Sequence, residues 1–244
     1  MTVANAISVA SGDHVIDARM LTTSQLNLSL RTAVASGKRN VTILNPDARN
    51  SLGVGLIRPC NITFSGSVGY YCCAFCDGIN ATIEGNSGWG LGSNLMSGRI
   101  IVRKDAGASV GASMRGGEIL VCGTAGARAG ILMKGGTLVI AGDSGFMTGF
   151  MMQKGRIIVL GNVGHAAGDS LYEGLLYVGG KIGSLGADAK IEGTTPKEDA
   201  QVKYRVKALK IDAVLPHKFQ KIVSAKKLYH YDSLEPLERE RLVI

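Results

Sequence analysis

The pattern G-x-x-G returns along this chain at a fixed interval of nineteen residues. Copies begin at Gly66, Gly85, Gly123, Gly142, Gly161 and Gly180, and Lys104 opens a seventh in which lysine replaces the first glycine. Seven copies without a slip define a solenoid, because each repeat can bury its apolar face only against its neighbours. Nineteen residues is too short for a helix-containing unit such as a tetratricopeptide repeat. It suits one coil of a parallel β-helix, with two or three short strands joined by sharp corners. Coils stack ~4.8 Å apart, so seven extend on the order of 30 Å.

Reading down the columns assigns roles. A third glycine recurs at Gly92, Gly111, Gly130, Gly149 and Gly168, with Cys73 in the same column. Glycine is kept where a corner needs positive φ or close backbone approach. Leu95, Met114, Met133, Met152 and Leu171 form a core column that also holds Cys76. A short strand follows, with two alternate positions always apolar. One runs Ile62, Ala81, Ile100, Ile119, Leu138, Ile157, Leu176; the other runs Phe64, Ile83, Val102, Val121, Ile140, Val159, Val178. Period-two alternation buries one face. After the first glycine stand Ser67, Asn86, Asp105, Thr124, Asp143, Asn162 and Lys181. Six are short polar side chains able to bond backbone at a turn, so the column reads as structural. Lys104 puts the tight geometry of one corner in question, not the fold.

The ends differ from the repeats. Residues 22–36 read as an amphipathic helix with Leu26, Leu30 and Ala33 on one face. Such a helix would cap the first coil, whose open edge invites aggregation. Thr195-Pro196-Lys197-Glu198 is a capping box with proline at the first helical position, predicting a helix from about 196 to 210. After Pro216 the chain is a charged tail with scattered apolar anchors, predicted to lie across another surface rather than form a core of its own. The division expected is a capping segment over 1–45, the β-helix over 46–190, and a C-terminal helix and docking tail over 191–244.

The net charge of +8 is concentrated at the two ends. Residues 60–189 carry nine basic and eight acidic groups, whereas residues 190–244 carry twelve and eight. No basic stripe interleaved with aromatics marks a nucleic-acid binder. No apolar run reaches the ~18 residues of a membrane span. The first residues lack the basic and apolar regions of a secretory signal. Five cysteines, three of them crowded at Cys72, Cys73 and Cys76, do not form a standard disulfide framework, which points to a reducing, cytoplasmic setting.

Candidate chemistry is sparse. Cys73-Ala-Phe-Cys76 has C-x-x-C spacing, with Cys60, Cys72 and Cys122 as further sulfurs, so metal or iron–sulfur binding and redox chemistry are open readings. The columns favour packing, since Cys76 falls in the core column and Cys73 in the glycine column. His14, His165, His217 and His230 share no metal-ligand spacing. The glycine runs do not sit between a strand and a helix, as a phosphate or dinucleotide loop requires. One polar ladder stands out: Arg115, Lys134 and Gln153 occupy one column, flanked by Met96 and Tyr172. Its readings are a solvated face or a docking patch, centred on Arg115 and Lys134, for a partner subunit or an anion.

The repeated GGxIxVxGxxGxxxGxxMxxG resembles the GXGXG domain of the glutamate synthase large subunit, over roughly residues 45–230. That resemblance implies an all-β fold: a right-handed parallel β-helix of about seven coils, with an N-terminal helical cap and a C-terminal helix plus extended tail. The tail HKFQKIVSAKKLYHYD is similar to the end of that domain. The segment IDARMLTTSQLNLSLRTA and the runs NPDARNSLGVGL, GSVGYYC and MTGFMMQKG most resemble the free-standing β-helix subunits of N-methylglutamate synthases. The resemblance implies a noncatalytic scaffold in a hetero-oligomer. Its partners would be an amidotransferase-like subunit and a glutamate-synthase-like subunit carrying FMN and an iron–sulfur cluster, with no cofactor, metal or catalytic residue on this chain. The amidotransferase nucleophile of that family is an N-terminal cysteine, and this sequence begins Met1-Thr2. Rival expectations are the β-helix subunit of a formylmethanofuran dehydrogenase or formyltransferase–hydrolase complex, and a free-standing β-helix carbohydrate-active enzyme.

Overall fold

The computed structural model describes residues 14–211 and 213–227. Nine strands pair in parallel, each with the next in chain order: β1 (His14–Asp17), β2 (Asn40–Leu44), β3 (Cys60–Phe64), β4 (Ile79–Ile83), β5 (Gly98–Val102), β6 (Glu118–Val121), β7 (Lys134–Ile140), β8 (Lys154–Val159) and β9 (Leu175–Val178). The register follows the predicted columns. Ile62 faces Ala81, Ile119 faces Leu138, and Ile157 faces Leu176. The step grows to 21 residues from Val41 to Ile62 and to 27 from Val15 to Thr42. Strands β1 and β2 thus belong to the same sheet although they fall within the segment expected to be a cap.

A second ladder of isolated bridges runs Val68, Ser87, Ala106, Ala125, Ser144, Val163, Ile182. The third side is unusual. In each coil three alternate residues take positive φ, for example Arg128 (57°), Gly130 (70°) and Leu132 (55°). Their N–H groups donate to the coils on either side: Arg128 to Phe146, Gly130 to Val110, Leu132 to Phe150. A left-handed conformation costs a residue other than glycine roughly 1–2 kcal/mol. The inter-coil bonds, each worth about 1 kcal/mol net, offset much of this. Glycine recurs at the middle of the three positions, with Cys73 as the exception, because a Cβ there would enter the core. At Gly130 an added Cβ would lie 2.4 Å from Ile157 Cδ1.

The column after the first glycine is structural, and its bonds reach the next coil rather than the local turn. Ser67 Oγ accepts from Asn86 N–H at 3.0 Å, Asn86 Oδ1 from Asp105 N–H at 3.1 Å, Asp105 Oδ1 from Thr124 N–H at 2.7 Å, and Asp143 Oδ1 from Asn162 N–H at 2.6 Å. Beside it, the first glycines bond coil to coil: Gly85 to Gly66, Gly123 to Lys104, Gly142 to Gly123. Among the described residues Lys104 N–H makes no such bond to Gly85. At the equivalent Gly123 an added Cβ would lie 2.9 Å from the Lys104 backbone, so a side chain at this position crowds the coil beneath. The departure from glycine loosens one corner and leaves the stack intact.

Helix α1 (Thr23–Ala35) lies between β1 and β2 and buries Leu26, Leu30, Ala33 and Val34 in the main core with Ile43 and Phe64. A full capping box starts it: Gln25 N–H donates to Thr22 Oγ1, and Thr22 N–H to Gln25 Oε1. Its Asn27 accepts from Gly53 N–H at 2.9 Å and donates to Ser51 C=O at 2.8 Å. The helix thereby satisfies the open edge of the left-handed ladder as well as the apolar end.

Helix α2 (Pro196–Ala208) crosses the outer face of the sheet. There the column Leu120, Val139, Ile158, Tyr177 is apolar and packs with Val202, Val206 and Phe219 into a second core. The described part of the tail, to Lys227, stays on this chain, and residues 228–244 lie outside the described residues. Residues Gln220–Ser224 form β11, antiparallel between β9 and β10 (Ala189–Gly193). Phe219 and Ile222 anchor it because they match the two cores of this chain, with Phe219 in the outer one and Ile222 in the inner.

Candidate functional site

The predicted ladder is assembled as stacked backbone. Arg115 N–H donates to Leu95 C=O, Lys134 to Met114 and Gln153 to Met133, each at 2.8 Å. Arg115 and Met96 are exposed, while Lys134, Gln153 and Tyr172 are half-buried. No ion pair among the described residues involves Arg115 or Lys134. A β-bulge between Lys134 and Thr137 adds something the repeat arithmetic missed: Lys154, not Gln153, is the register partner of Lys134. Gln153 and Lys154 N–H both donate to Met133 C=O. Arg115, Lys134 and Lys154 therefore bring three cations to one edge of the solenoid. The clue in the sequence was Lys154-Gly155-Arg156, where Gly155 takes φ +102°.

The cysteines pack. Cys60, Cys72, Cys73 and Cys76 are buried in the main core. Cys73 takes the glycine conformation, with φ 53°. Its Sγ lies 3.7 Å from that of Cys72, and Cys76 S–H donates to Gly53 C=O at 3.0 Å. Burial, and then the neighbouring Cys73, push the Cys76 thiol up to about 12. Burial also raises Cys60 and Cys122. A thiol held protonated is a poor nucleophile at neutral pH. Among the described residues no three His, Cys, Asp or Glu side chains are placed to hold a metal ion. His165 sits at an exposed corner, its Nδ1 3.3 Å from Ser184 Oγ. His230 lies outside the described residues.

The most specific polar constellation ties α2 to the sheet. Tyr177 O–H donates to Glu198 Oε1 at 2.7 Å, and Lys221 Nζ lies 3.3 Å from the same oxygen. Asp199 accepts from Phe219 N–H at 2.9 Å and pairs with Lys203 at 2.7 Å. Burial opposes the Glu198 charge, but the bonds from Tyr177 and Lys221 outweigh it and its carboxyl titrates below the ordinary range. Asp199 is lowered in the same way, by Lys203 and the Phe219 N–H against burial. Burial and the Glu198 contact push Tyr177 up to about 12. The predicted capping box at Thr195 is therefore half made. Glu198 N–H donates to Thr195 Oγ1, but the Glu198 carboxylate is spent on Tyr177 and Lys221.

Residues 17–227 match the family model described as "GXGXG motif". This chain belongs to the GXGXG family. Among curated proteins, this GXGXG chain is 36% identical over 90 residues to Protein GlxC of Rhizobium meliloti (strain 1021). The match spans 36% of this chain and 39% of the relative. Among solved structures it resembles a chain of the formyltransferase/hydrolase complex FhcABCD from Methylorubrum extorquens, determined with methylofuran. The TM-score is 0.62 at 23% identity, over 82% of this chain and 85% of the other. At that identity the likeness speaks to the fold. Among the described residues no helix is long and apolar enough to cross a membrane.

Proposed function

We propose that this GXGXG chain is the noncatalytic scaffold of a cytoplasmic glutamate-synthase-like complex, N-methylglutamate synthase. That complex makes N-methylglutamate and ammonia from methylamine and glutamate. On this reading the chain bridges an amidotransferase-like subunit and a subunit carrying FMN and an iron–sulfur cluster. The observation that carries it is the constant register from Ile62 to Leu176 in a chain of this family. A stack bonded coil to coil on three sides cannot flex easily. It would hold two active centres at fixed separation, so that a reactive amine passes between them without escape. The edge of Arg115, Lys134 and Lys154 is the docking patch on this reading, its cations meeting acidic groups of a partner.

The test is purification of the tagged full chain from its native cell. An amidotransferase-like chain and a flavin- and iron-bearing chain should elute with it. The double charge reversal Arg115→Glu/Lys134→Glu should strip at least one of them. A colourless chain eluting alone would end this reading. The likeness to a chain of FhcABCD favours a second reading, a subunit of a formyltransferase/hydrolase complex. Elution with such chains instead would select it.

A further inference from the structure

Where α2 arches over the sheet it leaves a groove of about 970 Å³. The sheet wall is Arg99, Glu118, Arg156 and Tyr177; the first three belong to one column of register partners that begins at Asn61 and Asn80. In the first coils, away from the helix, this column is an amide ladder, Asn80 Nδ2 donating to Asn61 Oδ1 at 3.1 Å. Beneath the helix it turns ionic. The helix contributes Lys197, Tyr204 and Arg205 to the opposite wall.

The charges in the groove do not balance. Arg99, Arg156, Lys197 and Arg205 face it, against Glu118 and Glu198. Glu118 is taken by Arg99 at 3.0 Å, and Glu198 by Tyr177 and Lys221. No ion pair among the described residues engages Arg156, Lys197 or Arg205. Arg99, in the lining, has its Nε buried with no hydrogen-bond partner. A concave site with cations on facing walls concentrates anions. A cavity of this size admits a small organic molecule rather than a single inorganic ion. Guanidinium forks match carboxylate geometry.

We infer that this groove binds a small organic dicarboxylate, one carboxylate against Arg156 on the sheet and the other against Lys197 and Arg205 on the helix. The carbon chain between them lies along Val202 and Tyr204. This site is independent of the docking edge at Arg115 and Lys134.

The experiment is calorimetric titration of the purified full chain with succinate, glutarate and adipate, with butyrate as the monocarboxylate control. At least one dicarboxylate should bind saturably at one site with Kd near or below about 1 mM, and butyrate about ten-fold more weakly. Arg156→Gln/Arg205→Gln should weaken binding about ten-fold or more, and raised salt should weaken it further. Lys181→Gln, at an exposed corner, should bind as wild type. Melting midpoints of all variants control for folding. Absence of saturable binding by any dicarboxylate overturns the inference. So does binding indifferent to the double variant, or an oligo-glutamate peptide binding where the dicarboxylates do not.

Discussion

Between Cys60 and Val178 every coil rests on the next through the same columns, whereas α2 and β11 are fixed by contacts that occur once. In the coils one bond pattern repeats down each side, and fully buried side chains such as Ile100, Met133 and Leu138 stack on their own kind. Burying each such side chain is worth about 1.5–3 kcal/mol, and no ionisable pair is needed. On the outer face, Tyr177, Glu198 and Lys221 form one polar cluster and Asp199 with the Phe219 N–H another, each made once among the described residues. Stability in the coils is therefore distributed over many like contacts, while the C-terminal strap depends on a few charges. Nearest-neighbour stacking gives the first kind of region its stiffness. The second should open at lower free energy than the coils, which hydrogen exchange would read as earlier loss of protection in α2 and β11.

Breaking a coil should have the largest effect. Gly130→Val places a branched Cβ 2.4 Å from Ile157 Cδ1 at φ +70°. Strain and overpacking together should cost about 3 kcal/mol or more, read as a fall in melting temperature. An unchanged midpoint would mean that the left-handed side is slack. Tyr177→Phe should cost about 1.5–3 kcal/mol, the range for a hydrogen bond to a charged group. Hydrogen exchange should confine the loss to α2 and β11 and leave β3–β7 protected; a uniform loss would erase the contrast between the two regions.

Acid sharpens the same contrast. Glu198 and Asp199 have lowered pKa values in the folded chain. The stability they lend is present above the ordinary carboxylate value of about 4 and is lost as the pH falls through the folded values. Exchange protection of α2 should fall below about pH 4 before that of the coils. Alkylation of the native chain should label Cys122 ahead of Cys72, Cys73 and Cys76, since only Cys122 of these is partly exposed. Rapid labelling of Cys73 would contradict a packed first corner. Smallest of all, Arg115→Glu should change folding stability by no more than about 0.5 kcal/mol, because the residue is exposed and forms no ion pair among the described residues.

The columns were legible because a solenoid makes the tertiary neighbour of residue i the residue nineteen places on. Periodicity along the chain thus becomes contact in space, as Ile62 on Ala81 shows. The helix at Thr22 was legible from its apolar face, Leu26, Leu30 and Ala33, and the one at Thr195 from its cap, because both signals are settled within a few turns of chain. The triple left-handed pattern was not, since Arg128 and Leu132 adopt positive φ under the pull of inter-coil bonds, against their own preference. Nor was the bulge that swaps Lys154 for Gln153.

The amino-acid order by itself determined the solenoid, its period, its inner columns and its two helices, because these follow from nearest-neighbour repetition, an apolar helix face and local capping. Only the tertiary structure decided where α2 and residues 213–227 go. Among the described residues Phe219, Glu198 and Ile222 find partners made once, Asp199, Tyr177 and Leu176, which lie 20, 21 and 46 residues away. No periodicity announces a contact that is made once.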